Sequence, residues 1–169
     1  MVHYALNDGK GIRKGDTVFL VGQECTKDLF IAIAREVYAA GGNLIPNYQP
    51  DNVRDSSLAR LLLQQGTDEQ LGFFAMPYWK GIVEATDHIC FILSEPDIHY
   101  LEGIPAAKIS RMNSARAPYM KMREQKEQEG KLSWSLCLYG TRSMADEAGL
   151  SLEDYWEQII EACYLREED

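Results

Sequence analysis

The amino-acid sequence predicts an α/β domain, with a mostly parallel sheet of about four strands and helices on both faces, in three layers. Three observations lead there. Short apolar runs alternate with longer segments whose apolar residues recur at helical spacing. Glycines and helix-capping residues punctuate that alternation. One run, His88-Ile89-Cys90-Phe91-Ile92-Leu93, is apolar almost throughout, as a strand buried on both faces requires. Strands that alternate with helices are joined by right-handed crossovers, and such connections make neighbouring strands parallel.

The first strand is Thr17-Val18-Phe19-Leu20-Val21-Gly22, which follows the tight-turn sequence Lys14-Gly15-Asp16. A helix capped by Thr26 comes next. Its Leu29, Phe30, Ile33, Val37 and Tyr38 share a face, and Gly41-Gly42 ends it. Asn43-Leu44-Ile45-Pro46 is the second strand, and a helix through Leu58, Leu61 and Leu62 stops at Gly66. Thr67-x-x-Gln70 is a capping box. The helix it opens carries Leu71, Phe74, Ala75 and Tyr78 on one face, is kinked or interrupted by Pro77, and continues through Ile82 and Ala85.

The third strand, 88–93, leads into the loop Ser94-Glu95-Pro96-Asp97-Ile98-His99. Pro105 suits the first turn of a long helix that reaches about residue 129 and ends at Gly130. Residues 132–139 alternate and are rich in strand formers, giving a fourth strand. Thr141 caps a short helix that ends at Gly149. Ser151-x-x-Asp154 opens the last helix, whose Leu152, Tyr155, Trp156, Ile159, Ile160 and Cys163 form one apolar stripe.

With 169 residues, 46% hydrophobic and 25% charged, the chain makes one domain that folds without a disulfide or metal staple. Its net charge of −9 argues against nucleic acid or an anionic membrane as a partner. The N-terminus shows no signal peptide, and no apolar run approaches the ~20 residues of a spanning helix. Cys25, Cys90, Cys137 and Cys163 are widely spaced and read as reduced core residues, so the expected location is cytoplasmic.

Several chemistries are excluded by pattern. The sequence has no G-x-G-x-x-G, Walker sequence, H-E-x-x-H or G-x-S-x-G. His88 and Cys90 read as packed core neighbours rather than a catalytic pair. Ligands of open α/β sheets bind outside the carboxyl ends of the strands. That rule selects Glu24, after the first strand, and Glu95, Asp97 and His99, which alternate after the third, in a loop whose bland reading is a solvated turn with capping carboxylates. The basic stretch 108–131 reads as a charged helix face, solvated or meeting an acidic partner surface, and the acids of 144–169 as the polar side of a helix.

A family resemblance sharpens this reading. Trp134-Ser135-Leu136-Cys137-Leu138-Tyr139-Gly140-Thr141, followed by Met144-Ala145-Asp146-Glu147-Ala148-Gly149-Leu150-Ser151-Leu152-Glu153-Asp154-Tyr155, resembles the thermophilic aminopeptidase family of metallopeptidases, the aminopeptidase T and aminopeptidase S enzymes. The Gly15-Asp16-x-Val18 strand with its helix ending at Gly41-Gly42 is similar, as is Ser94-Glu95 through Gly103-Ile104 and Lys108 to Arg123.

The resemblance implies an N-terminal α/β domain that carries no catalytic or metal-ligating residue. The metal-binding C-terminal domain would lie beyond Asp169, holding two divalent ions (zinc, cobalt or magnesium) that activate water against a peptide bond. It also implies peptides as the parent substrate, the catalytic domain as a partner, and a homodimer in the full-length form. Trp134, Tyr155 and Trp156 are the expected contacts to that domain or partner. The alternatives are a stand-alone module binding a small anionic ligand or a protein at the strand ends, and a small enzyme with a carboxylate site at Glu95 and Asp97.

Overall fold

The computed structural model describes residues 2–163 and 165. Four strands form one sheet: β1 (Thr17–Gln23), β2 (Asn43–Gln49), β3 (His88–Leu93) and β4 (Ser133–Leu138). Every pairing is parallel and the spatial order is β2-β1-β3-β4. The helices between and after them are α1 (Lys27–Ala39), α2 (Leu58–Gln65), α3 (Asp68–Leu71), α4 (Met76–Ala85), α5 (Ala106–Ala115), α6 (Ala117–Gln128), α7 (Arg142–Glu147) and α8 (Leu152–Ala162). The predicted three-layer α/β architecture is the one observed.

Alternation along the strands builds two cores. Val18, Leu20, Cys90 and Ile92 face one way and pack with Phe30, Ile33 and Val37 of α1 and with Val2 and Leu6 of the N-terminal segment. Phe19 and Ile89 face the other way, against Trp79 and Ile82 of α4. Trp79 also sits 5.3 Å from Tyr119 of α6, so α4 and α6 cover that face together. Gly22 lets α1 lie close on β1, since a Cβ there would stand 2.9 Å from Phe30 and from the Thr26 hydroxyl. Gly41 ends α1 at φ +78°, a conformation that favours glycine.

Local capping signals are realised. Thr67 and Gln70 form a reciprocal capping box, while Thr141 and Ser151 accept the backbone N–H of Met144 and Asp154. Thr26 stands at the start of α1, but its hydroxyl donates back to the Gln23 carbonyl at 2.7 Å. Prolines divide two segments that periodicity runs together. The segment opened by Thr67 is two helices, α3 and α4, with Pro77 in the first turn of α4. The segment after Pro105 is α5 and α6, with Pro118 in the first turn of α6. A proline fits a first turn, where its missing N–H has no intrahelical partner, and breaks a helix interior. β2 extends past Pro46 because an edge strand tolerates proline.

The cysteines are free: Cys90 is buried, Cys25 and Cys137 are half-buried, and Cys163 is exposed rather than part of a core. Among the described residues no helix is long and apolar enough to cross a membrane.

One lysine locks the second layer. Lys126 Nζ donates to the carbonyls of Val83, Glu84 and Thr86 at 2.7, 3.1 and 2.6 Å, satisfying the last turn of α4 from α6. Lys126→Met keeps the aliphatic stem and removes these bonds. It is expected to destabilise by about 2 kcal/mol, the scale of hydrogen bonds to a charged group. In urea unfolding the midpoint falls with slope unchanged. An unchanged midpoint would show that the lysine does not hold the two helices.

Candidate functional site

Strand order reverses between β1 and β3: the chain leaves β1 for β2 on one side and β3 for β4 on the other. A crevice opens at such a switch point, outside the carboxyl ends of the two strands. Its floor is sewn by side chains. Gln23 Nε2 donates to the Ser94 carbonyl at 3.0 Å, and its Oε1 accepts the Asn52 N–H at 2.9 Å. Cys25 N–H donates to Asp51 Oδ1 at 2.8 Å, and Cys25 Sγ lies 3.4 Å from Ser94 Oγ. Burial pushes the Cys25 thiol up to about 11, with the Asp51 carboxylate reinforcing it against the Ser94 hydrogen bond. Cys25 is therefore a protonated packing group at neutral pH, not a nucleophile.

Glu24, Glu95, Asp97 and His99 all lie around this crevice, on the two loops that leave β1 and β3, and their environments divide them. Asp97 is committed to the backbone: its oxygens accept the N–H of Arg54 at 3.1 Å and of His99 at 2.9 Å, which pins the loop after β2 to the loop after β3. Glu95 places its carbonyl on Thr141 Oγ1 at 2.6 Å, while partial burial raises its carboxyl above the ordinary range. Glu24 and His99 are exposed, and their backbone carbonyls accept from the Tyr48 hydroxyl and from Arg54 Nη2.

Sequence reasoning missed Arg60, which braces the same loop by donating to the carbonyls of Tyr100 and Glu102 at 2.6 and 2.8 Å. Gln23 and Ser94 fall in the strand-end stretches 22–24 and 94–95 that the sequence marks for a ligand, but their bonds across the crevice floor are not visible there. Their only local signal was position at a strand's carboxyl end.

The three candidate contact residues do not form one patch. Trp134 is 39% exposed on the edge strand β4, with Leu136 beside it at 48%. Its indole N–H donates to Glu127 Oε1 at 2.7 Å, and Arg123 lies 6.0 Å over its ring. Trp156 packs edge-on against Tyr139 at 5.1 Å, and Tyr155 closes on Gly140. Tyr139 belongs to the α1 face of the sheet, whereas Trp134 pairs with Ile89 on the α4 face.

Among the described residues, two of the cavities open near the ends of the sheet. The larger, about 650 Å³, opens at the amino ends of the strands and is lined by Arg13, Asp16, Asp87, His88, Ser133 and Trp134, among others. There His88 Nε2 donates to Asp16 Oδ2 at 2.9 Å and Nδ1 faces Ser133 Oγ at 2.8 Å. The three side chains are ordered like a nucleophile relay. The Ser133 oxygen is, however, turned to Nδ1 and already accepts the Asn7 N–H at 3.0 Å, so the trio ties the N-terminal segment to β1, β3 and β4. The smaller cavity, about 410 Å³, lies at the carboxyl side of β2, between α2, α5 and Tyr100-Leu101.

A family model described as thermophilic metalloprotease (M29) matches residues 2–169. The chain belongs to that family. Among solved structures it is similar to wild-type AmpT from Thermus thermophilus, with a TM-score of 0.71 and 21% identity over 95% of this chain. The match covers 40% of the AmpT chain, so this M29 chain spans well under half the length of that relative. At this identity the likeness establishes the shared fold. No curated protein matches the chain. An M29 protein implies metal ions. Yet among the described residues no group of three or more His, Cys, Asp or Glu side chains is placed to hold one. The residues at the crevice thus do not fit a metal centre, and they form a polar surface braced by hydrogen bonds.

Proposed function

We propose that residues 1–169 are the N-terminal, non-catalytic domain of a metal-dependent aminopeptidase, which removes N-terminal residues from peptides. The observation that carries this is the match of the M29 family over the whole chain, together with coverage of only 40% of AmpT. In this reading the metal-holding half lies outside these residues. It binds two divalent ions (zinc, cobalt or magnesium), which supply an activated water and a clamp for the developing oxyanion.

This domain contributes position. The crevice bearing Glu24, Glu95, Asp97 and His99 forms one wall of the substrate cavity, where partial burial keeps Glu95 less readily ionised than an ordinary glutamate. Two separate surfaces meet the catalytic domain or a second subunit of a homodimer: the β4 edge at Trp134, and the α8 side at Tyr155 and Trp156. The working location is the cytoplasm.

The expected result is that this chain, with zinc, cobalt or magnesium added, releases no chromophore from an aminoacyl chromogenic substrate. Metal-dependent turnover abolished by a chelator would overturn the non-catalytic assignment.

A further inference from the structure

The smaller cavity, between α2 and α5, has the make-up of a ligand site. Its volume, about 410 Å³, lies in the usual range for small-molecule pockets. Leu58, Leu101, Ile109 and Met112 supply apolar walls, and Pro50 and Tyr100 close the side nearest the strand ends.

The polar groups at its rim divide: Gln49 and Asn52 are bonded to Asn47 and Ser57, whereas two others are open. Asn113 and Arg116, at the end of α5, are three residues apart and so share a helix face. Neither side chain makes a hydrogen bond or ion pair among the described residues, although both line the cavity. A free guanidinium and a free amide beside apolar walls match a carboxylate attached to an apolar body.

The larger cavity is the opposite case. Its His88, Asp16, Ser133, Trp134, Glu127 and Lys131 are already bonded to one another or to neighbours, which commits most of its polar lining to the fold.

We propose that the cavity between α2 and α5 binds the C-terminal residue of a short peptide, with Arg116 and Asn113 taking the free carboxylate and Leu58, Leu101, Ile109 and Met112 the apolar side chain. The inference rests on the peptide-processing reading for its choice of ligand. It assigns that reading a preference: short peptides with a free, apolar C-terminus, held at the end remote from the bond to be cut. A peptide held there lies on the same side of the sheet as the crevice, because the cavity wall includes Gln49 and Pro50 at the carboxyl end of β2.

The test uses the whole chain and two probes, N-acetyl-Leu-Leu with a free carboxylate and the same dipeptide as its C-terminal amide. Calorimetry measures affinity, and amide chemical shifts in the NMR spectrum report the place of binding. The acid is expected to bind, and the amide at least tenfold more weakly, the scale of one lost charge-assisted pair. Arg116→Gln should bring the acid to the amide's affinity while leaving the unfolding midpoint unchanged, since the side chain is exposed. Raising the salt concentration should weaken the acid and not the amide.

Shift changes should centre on α5 and on residues 100–101. Equal affinity for acid and amide, shifts confined elsewhere, or no binding at millimolar peptide would each overturn the proposal. Binding is read without any catalytic turnover. A failure here therefore leaves the activity test of the domain assignment standing, and turnover in that test leaves this one readable.

Discussion

Replacing Leu20 with alanine is expected to destabilise the protein by about 3 kcal/mol, the middle of the range for a buried leucine truncated to alanine. Leu20 is fully buried at the centre of β1, one of the two inner strands, opposite Pro46 and Cys90. Its side chain joins the cluster in which α1 and the N-terminal Val2 and Leu6 close over the sheet. Truncation leaves a cavity between three elements that are each anchored elsewhere, so the site collapses poorly and the penalty stays high. Domains are stable by only about 5–15 kcal/mol, so the loss is a large fraction of the total. Urea unfolding should show a lower midpoint at constant slope. Leu61→Ala, at a half-exposed position of α2, should shift it little. A Leu20→Ala penalty below about 1 kcal/mol would contradict the packing described.

That core was readable in advance because its signals are local. The run 88–93 coincides with β3, and Thr67, Thr141 and Ser151 cap where a hydroxyl precedes an apolar stripe. The failures share a cause. Apolar residues keep their helical phase across residues 72–76 and across Arg116, so periodicity reports one face where the backbone makes two helices. Only the steric demands of Pro77 and Pro118 reveal the breaks. Pro77 predicts a kink or an interruption, and the interruption is what forms.

The crevice followed from alternation and the strand-end rule, since Glu24 follows β1 and Glu95, Asp97 and His99 follow β3. What each does there was not legible, because it depends on partners far along the chain. Asp97 is held by the N–H of Arg54, 43 residues away, and Gln23 by Ser94, 71 residues away. The same limit applied to the apolar surface. Trp134, Tyr155 and Trp156 look alike in sequence, yet the pleat sends Trp134 to one face while Trp156 packs beneath Tyr139 on the other. In the proposed reading a docking partner wraps the β4 edge or makes two contacts, and single substitutions at Trp134 and Trp156 should then change the binding of that partner independently.

Asp16→Ala is expected to be the other severe substitution, and its penalty should depend on pH. Asp16 Oδ2 accepts the Arg13 N–H at 2.6 Å and His88 Nε2 at 2.9 Å. With Nε2 donating, Nδ1 accepts from the Ser133 hydroxyl, whose oxygen takes the Asn7 N–H. One carboxylate thus fixes a chain of groups joining the N-terminal segment, β1, β3 and β4 at the sheet's amino end. Alanine leaves the buried His88 ring N–H and a backbone N–H without acceptors, a loss of about 3 kcal/mol near neutral pH. Burial alone would raise the Asp16 pKa, but the bonds to His88 and Arg13 and their charges outweigh it and hold it below its ordinary value. A carboxylate depressed on folding stabilises above its unfolded pKa of about 3.9, and that stabilisation is lost as pH falls through the lower folded value. The stability gap between wild type and Asp16→Ala should therefore be widest from about pH 5 upward and narrow steadily in acid. Asp16→Asn, which keeps an acceptor but not the charge, should fall between the two. Urea midpoints between pH 2.5 and 7 decide it: a gap constant across that range would mean that shape rather than the ionised carboxylate holds this end of the sheet together.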